Sequence, residues 1–335
     1  MAKISVLGGG TWAIALAVLL SHNGHDVMVW SALPAEIESL KKDHRHRMLP
    51  DTILPDDLTF TTDDREAVTG RDLLVMAVAS SFTRSTAKRL APYIADGQRI
   101  VDVAKGIEEG TLKTLSEQIR DEIPAADIAV LSGPTHAEEV IQGLPTTIVV
   151  AASRQETAEY IQNIFMSEVF RVYTGSDILG VELGGALKNV VALAAGMADG
   201  MGYGDNAKAA LITRGIAEIS RLGRAMGCKA ETFYGLTGIG DLIVTCASMH
   251  SRNRRAGILM GQGKSMEEAM AEVQQTVEGV YSAKAGLALA RKYQVSMPII
   301  EQINLVLFEG KNAKEAVKEL MLRDRKAEVS DTEWN

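Results

Sequence analysis

The chain has 335 residues, 46% of them hydrophobic and 5% aromatic, with a net charge of −8 and a pI near 5.4. That length suits two domains. The acidic balance argues against a nucleic-acid protein or a basic membrane-binding surface, though not against a small anionic substrate held by a local cluster of cations.

In chain order, Lys3–Leu7 reads as a strand, Gly8-Gly9-Gly10-Thr11-Trp12-Ala13 as a glycine turn, and Ile14–Leu20 as a buried helix. This is the G-x-G-x-x-G/A dinucleotide fingerprint in its strand–turn–helix context. Gly8 permits the tight turn, Gly10 lets the backbone approach a pyrophosphate, and Ala13 still allows close helix–strand packing. The free N–H groups and partial positive charge of the helix start face the phosphates. Strands are then expected at Asp26–Trp30, Asp72–Val78, Arg99–Val103, Asp127–Leu131 and Thr146–Ala151, with Val169–Tyr173 closing the sheet. The intervening helices are expected at Pro34–Lys42, Thr83–Leu90, Thr111–Asp121, Thr135–Ile141 and Glu156–Phe165. Such alternation predicts a parallel, doubly wound α/β sheet of Rossmann type.

After about residue 176 strand-like runs give way to helical periods, at Gly180–Ala198, Lys208–Met226, Ser265–Gln275, Tyr281–Lys292, Pro298–Phe308 and Ala313–Leu322. The division expected is a dinucleotide-binding domain over 1–176, an all-helical substrate and catalytic domain over 177–325, and a frayed tail over 326–335. Cys228 and Cys246 lack metal-ligand spacing and read as reduced core thiols, and no metal site is expected. No signal peptide is read at the start, and the longest apolar stretch, Val190–Ala198, is too short to span a bilayer. A cytoplasmic protein without a transmembrane segment is the expectation.

Reacting groups should lie at the carboxyl ends of the strands and on the facing helices. Lys105, in Ala104-Lys105-Gly106, is a cation at a strand end, or simply a surface-loop lysine. Thr135, in Ser132-Gly133-Pro134-Thr135, presents donors to a ligand or caps the next helix. Lys188, in Gly184-Gly185-Ala186-Leu187-Lys188-Asn189, stands on a nearly all-apolar helix. There it either snorkels to solvent or is desolvated toward a pKa useful for proton transfer. Gly184 and Gly185 lie beneath its face and would leave a groove through which a substrate reaches the ammonium. Asp241, in Gly238-Ile239-Gly240-Asp241-Leu242, caps a helix or serves the site. The cations in Ser251-Arg252-Asn253-Arg254-Arg255 form a solvated face or bind phosphate.

Together with Val277-Glu278-Gly279, these motifs resemble, in order and over almost the whole chain, bacterial NAD(P)-dependent glycerol-3-phosphate dehydrogenases. The resemblance implies that Lys188 is the proton acceptor in glycerol phosphate oxidation, with Asp241 as its polar partner and Asn189 and Thr245 in support. It implies substrate contacts at Lys105, Gly133, Thr135, Ser251, Arg252 and Asn253, the last three as a phosphate clamp. Cofactor contacts are implied at Gly8, Gly10, Thr11, Trp12, Ala32, Lys105, Ala137, Arg252, Thr276 and Glu278. The implied reaction reduces dihydroxyacetone phosphate to sn-glycerol 3-phosphate with NAD(P)H, feeds phospholipid synthesis, uses no metal and runs in a homodimer. The chain departs from the family at Ala13, usually Gly, at Ala79, commonly Pro, and at Ala32, often His or Arg.

Other hypotheses are a related 3-hydroxyacid dehydrogenase, against which the Ser251–Arg255 cluster speaks, and a non-enzymatic dinucleotide-binding redox sensor. The intact Lys105, Lys188 and Asp241 set speaks against the sensor. The second-strand end, Trp30-Ser31-Ala32-Leu33, carries neither the carboxylate usual for NAD nor an arginine for NADP. Glu36 and Glu38 fall in the next helix and are expected to point to solvent. On that reading both cofactors should serve within about a hundredfold in kcat/KM, Ala32→Arg favouring NADPH and Ala32→Asp favouring NADH.

Overall fold

The computed structural model describes residues 1–325 together with Ala327 and Glu328, so the expected frayed tail lies almost wholly outside the described residues. From the N-terminus the elements are β1 (Lys3–Leu7), α1 (Thr11–His22), β2 (Asp26–Trp30), α2 (Pro34–Asp43), β3 (Thr59–Thr61) and α3 (Asp64–Val68). There follow β4 (Leu73–Met76), α4 (Thr83–Leu90), β5 (Arg99–Asp102), α5 (Leu115–Glu122), β6 (Asp127–Ser132), α6 (Ala137–Val140), β7 (Thr146–Ala152), α7 (Gln155–Phe165) and β8 (Phe170–Gly175). From Ile178 onward every described element is helical: α8 (Ile178–Gly200), α9 (Asp205–Ala225), α10 (Ala230–Tyr234), α11 (Asp241–Ala247), α12 (Arg252–Gly261), α13 (Met266–Val273), α14 (Glu278–Lys292), α15 (Pro298–Phe308) and α16 (Ala313–Met321).

The strands form one sheet in the order β3-β2-β1-β4-β5-β6-β7-β8. The apolar runs of β1, β2, β4, β5 and β6 are buried on both faces, as a sheet covered by helices requires, whereas the edge strand β8 exposes Arg171 and Tyr173. Residues of α1 and α7, such as Ile14, Leu16 and Ile161, pack on one face with Ile4, Val29 and Val101. Residues of α3, α4 and α5, such as Ala67, Leu90 and Ile119, cover the other with Trp30 and Leu74. Order reverses at β1, between β2 and β4, which puts a crevice at the carboxyl ends of these strands.

The sheet is not all parallel. β6 and β7 pair antiparallel while β7 and β8 run parallel to each other. The connection between β6 and β7 contains only the short α6, and a short link suits an antiparallel pair better than a crossover. The helix expected from Thr111 begins at Leu115 instead. Leu112 takes a left-handed φ of 62°, and Thr114 caps the helix reciprocally with Glu117. The helix expected over Thr135–Ile141 shrinks to α6, and α14 starts three residues earlier than expected, at Glu278. The short elements β3, α3, α10, α11 and α12 have no counterpart among the expected elements.

Helix α8 is the axis of the second region. Its residues Gly180 to Ala198 are all buried. By length and a hydropathy of 1.5 it could cross a membrane, contrary to the expectation from Val190–Ala198, yet 89% of its apolar window is enclosed by the surrounding helices. Two glycines on α8 and two on α12 let the backbones touch. A Cβ at Gly196 would overlap the Arg254 carbonyl oxygen, and a Cβ at Gly257 would overlap that of Leu193.

Candidate active site

The two ends of the fold meet around α8. Lys105 follows β5, Gly133 follows β6, Lys188 lies mid-way along α8, and Asp241 and Thr245 come from α11. The Asp241 carboxylate joins the two lysines: Lys188 Nζ donates to Oδ1 at 2.6 Å and Lys105 Nζ donates to Oδ2 at 2.7 Å. Lys188 also donates to Thr245 Oγ1 at 2.6 Å, and that hydroxyl donates to the Asp241 carbonyl at 2.6 Å. Lys105 reaches the Gly133 carbonyl at 3.1 Å, where the Thr135 hydroxyl also donates, at 3.2 Å.

With 6% and 1% relative exposure, Lys188 and Asp241 are interior groups, so Lys188 does not snorkel. Burial lowers the Lys188 pKa to about 8, a fall that Asp241 opposes and the nearby Lys105 charge assists. Asp241 does not cap α11, whose N-cap is Gly240, and Thr135 does not cap α6, whose N-cap is His136. Nor do the glycines beneath Lys188 open a substrate groove. A Cβ at Gly185 would sit 3.0 Å from Ser132 Oγ and 3.4 Å from Lys105 Cγ, and one at Gly184 would sit 3.0 Å from the Thr237 carbonyl. Their lack of side chains lets Lys105 and the turn before Asp241 pack against α8, which is how the two lysines reach one carboxylate.

Next to Lys188, Asn189 accepts from Asn253 Nδ2 at 2.9 Å, and Asn253 Oδ1 accepts from the Gly279 backbone N–H at 2.8 Å. Asn253 therefore retains one amide N–H for a ligand. Ser251 caps α12 by accepting from the Arg254 N–H at 3.2 Å. Arg254 is turned away, paired with Asp199 at 2.8 Å. Arg252 is exposed in the first turn of α12, makes no hydrogen bond or ion pair among the described residues, and faces the carboxylates Glu278 and Glu138. The structure thus separates the arginines of the cluster: Arg252 is available to an anion and Arg254 is not.

The glycine turn fits a dinucleotide. Gly8 has φ 135°, and a Cβ there would lie 2.7 Å from the Ala77 carbonyl oxygen beside β4. Gly10 has open space where a Cβ would stand, and no side chain caps α1, so the N–H groups around Thr11 and Trp12 remain open to phosphate. Ala32 is exposed beyond β2, and Ala137 is buried at the start of α6. Thr276 lies half-buried before α14, where Glu278 accepts from Ser80 Oγ at 2.6 Å across the two halves of the fold. Burial pushes the Glu278 carboxyl above the usual carboxylate range.

Several residues escaped sequence reasoning. Glu182, one face of α8 away from Lys188, accepts from the Ser116 N–H at 2.8 Å and from Ser116 Oγ at 2.6 Å, tying α8 to α5. A carboxylate inside an apolar helical run was the available signal. His136 and His250, next in the chain to Thr135 and Ser251, stack obliquely with centroids 5.6 Å apart, and burial lowers the His136 pKa. Glu36 does not point to solvent as Glu38 does. It is half-buried and bonded to Ser31.

Comparison with known proteins gives a consistent result. The family model for the NAD-dependent glycerol-3-phosphate dehydrogenase N-terminus matches residues 3–158, and the model for the C-terminus matches residues 177–318. The glycerol-3-phosphate dehydrogenase [NAD(P)+] of Agathobacter rectalis is 63% identical over 335 residues, covering 100% of both chains. That of Fusobacterium nucleatum is 60% identical, covering 98% of this chain and 99% of its own. A crystal structure of glycerol-3-phosphate dehydrogenase from Coxiella burnetii superposes with a TM-score of 0.93 at 35% identity, covering 96% of this chain and 99% of that one.

Proposed function

The chain belongs to the NAD-dependent glycerol-3-phosphate dehydrogenase family, and from that premise we propose how its residues divide the work. The protein is an NAD(P)-dependent oxidoreductase acting on a CH–OH group, and it interconverts dihydroxyacetone phosphate and sn-glycerol 3-phosphate. The nicotinamide, when bound, supplies or takes up the hydride at the substrate's central carbon.

One observation carries the assignment of roles: a buried lysine with a pKa near 8, held by a carboxylate shared with a second lysine. Lys188 gives its proton to the developing alkoxide during reduction and takes the hydroxyl proton during oxidation. A pKa near the operating pH suits both directions. Asp241 orients Lys188 and Lys105 and offsets their charges, and Thr245 fixes the Lys188 ammonium from the other side. Lys105, with Gly133 and Thr135, faces the substrate oxygens. Arg252, with Ser251, the remaining N–H of Asn253 and the start of α12, holds the phosphate and so restricts the substrate's orientation. Asn189 acts through Asn253 and is a positioning residue. Gly8, Gly10, Thr11, Trp12, Ala32, Ala137, Thr276 and Glu278 line the cofactor's path. Residues 1–176 form the cofactor-binding unit and 177–325 the catalytic unit. Free, buried Cys228 and Cys246 support a reducing, cytoplasmic setting, where the product would feed phospholipid synthesis. The resemblance to the family supports a homodimer, which sedimentation equilibrium tests.

The deciding experiment follows the absorbance of reduced nicotinamide with dihydroxyacetone phosphate and, as a control, 3-hydroxyisobutyrate with the oxidised cofactor. Only the phosphorylated substrate should turn over. In Lys188→Ala, kcat should fall by about 10²–10⁴, the usual contribution of a positioned proton donor, with cofactor Kd unchanged. Near-normal turnover would remove Lys188 from its role.

A further inference from the structure

We infer that Glu36 sets cofactor choice: its carboxylate takes the adenosine ribose hydroxyls of NADH and turns away the 2′-phosphate of NADPH. The inference rests on the glycine turn being the dinucleotide site, as read above. Rossmann domains that prefer NAD place a carboxylate at the end of the second strand, and here that position is Ser31-Ala32. The carboxylate arrives from α2 instead. Ser31 Oγ, at the end of β2, donates to Glu36 Oε2 at 2.5 Å and accepts from the Leu33 N–H at 3.1 Å. One hydroxyl thereby shapes the turn into α2 and fixes the glutamate in it.

The result is a carboxylate over the glycine turn. A Cβ at Gly9 would overlap the Glu36 carboxyl carbon and Oε2. Gly9 has no positive φ, so what its missing side chain provides is the space that the Glu36 carboxylate occupies, and a Cβ there would push that carboxylate aside. Oε2 is held by Ser31, and Oε1 has no partner among the described residues, leaving it free to accept from a ribose hydroxyl. No ion pair neutralises Glu36 among the described residues.

The cations nearby do not reverse this sign. His46 is buried beside Gly9 and Glu36, and burial lowers its pKa, so it is neutral at pH 7. Arg45 donates to the Pro50 carbonyl. Arg47 is exposed, where solvent screens it. A 2′-phosphate carries about two negative charges and would meet an unneutralised carboxylate at contact distance, while a ribose diol would meet an acceptor. The dual use expected from Ala32 alone therefore gives way to NADH preference.

The test is equilibrium binding, read by the fluorescence of the reduced nicotinamide for NADH and NADPH, and by calorimetry for ADP-ribose and its 2′-phosphate. The wild type should bind NADH on the order of a hundredfold tighter than NADPH, and ADP-ribose should outcompete its 2′-phosphate by a similar factor. Glu36→Gln keeps the shape and removes the charge, and should shrink the ratio at least about tenfold, chiefly by tightening NADPH. Ser31→Ala, which releases the carboxylate without changing its charge, should shrink it less. Equal or tighter NADPH binding by the wild type, or an unchanged ratio in Glu36→Gln, overturns the inference. Failure of the underlying site reading looks different: neither dinucleotide binds, or ADP-ribose does not displace NADH.

Discussion

At the scale of single residues, the chemistry depends on where protons reside. In the proposed mechanism Lys188 gives its proton only while it is an ammonium, and burial lowers its pKa to about 8. Reduction of dihydroxyacetone phosphate should therefore lose kcat as pH rises through about 8, and oxidation of glycerol 3-phosphate should gain it over the same range. Asp241→Asn removes the charge that holds Lys188 up, so both pH profiles should move to lower pH. The same change leaves two ammonium groups without their buried counter-charge, at about 3–5 kcal/mol of stability. Steady-state profiles in both directions and a denaturant titration check the pair of expectations. Arg252 lends itself to a cleaner comparison, because nothing in the fold depends on its guanidinium. Arg252→Ala should cut kcat/KM for dihydroxyacetone phosphate by about tenfold to a hundredfold, the loss of one or two charge-assisted hydrogen bonds. Unphosphorylated dihydroxyacetone should be affected far less, and equal losses would show that Arg252 binds something else.

At the scale of elements, the contact of α8 with α12 sets where the proposed phosphate-binding residues stand relative to Lys188. The helices touch backbone to backbone at Gly196, Gly200, Gly257 and Gly261. Asn253 meets Asn189 in the same interface, and Gly279 closes on both. In Gly257→Ala the new methyl overlaps the Leu193 carbonyl, and main chain cannot rotate aside as a side chain can. Overpacking of this kind costs about 1–3 kcal/mol. The helices should part, lowering Tm and raising KM for the phosphorylated substrate more than Kd for the cofactor, since the glycine turn lies elsewhere. A KM unchanged alongside a lowered Tm would show that α12 does not position the clamp.

At the scale of the whole molecule, polar contacts, buried or half-buried, join the sheet and the helical region. Glu182 on α8 holds Ser116 on α5, Thr237 donates to Ser132, and Ser80 donates to Glu278. The candidate active site lies on this seam, because Lys105 and Asp241 come from opposite sides of it. Glu182→Ala strands the buried Ser116 N–H, a penalty of about 1–3 kcal/mol, and leaves the Ser116 hydroxyl only its contact with Thr114 Oγ1 at 3.3 Å. Calorimetry should show the single unfolding transition broaden or split as the two halves lose their tie. A sharp transition at lower Tm would mean that the apolar contacts alone keep the halves cooperative.

The sequence alone determined the features that are written in local order. Hydrophobic periods marked most of the strands and the long helices, and the glycine pattern after β1 marked a tight turn into α1. Ordered short motifs pointed to Lys105, Lys188 and Asp241, which the fold brings together on one carboxylate, and to Arg252. The reversal of β7 was hidden because a strand's apolar run reads the same in either direction. The short α12 was hidden because Gly257 and Gly261 suppress the periodic signal, although those glycines are what let it pack on α8, and the 7 residues of α11 are too few to show a period. Gly184 and Gly185 read as an opening and proved to be filled. Glu36 read as a solvent-facing residue of a surface helix and proved to lie over the glycine turn. In each case a side chain's partner lies on a chain-distant element or is fixed by a bend of the backbone. Local pattern states what a residue can do, and only the packed chain decides what it meets.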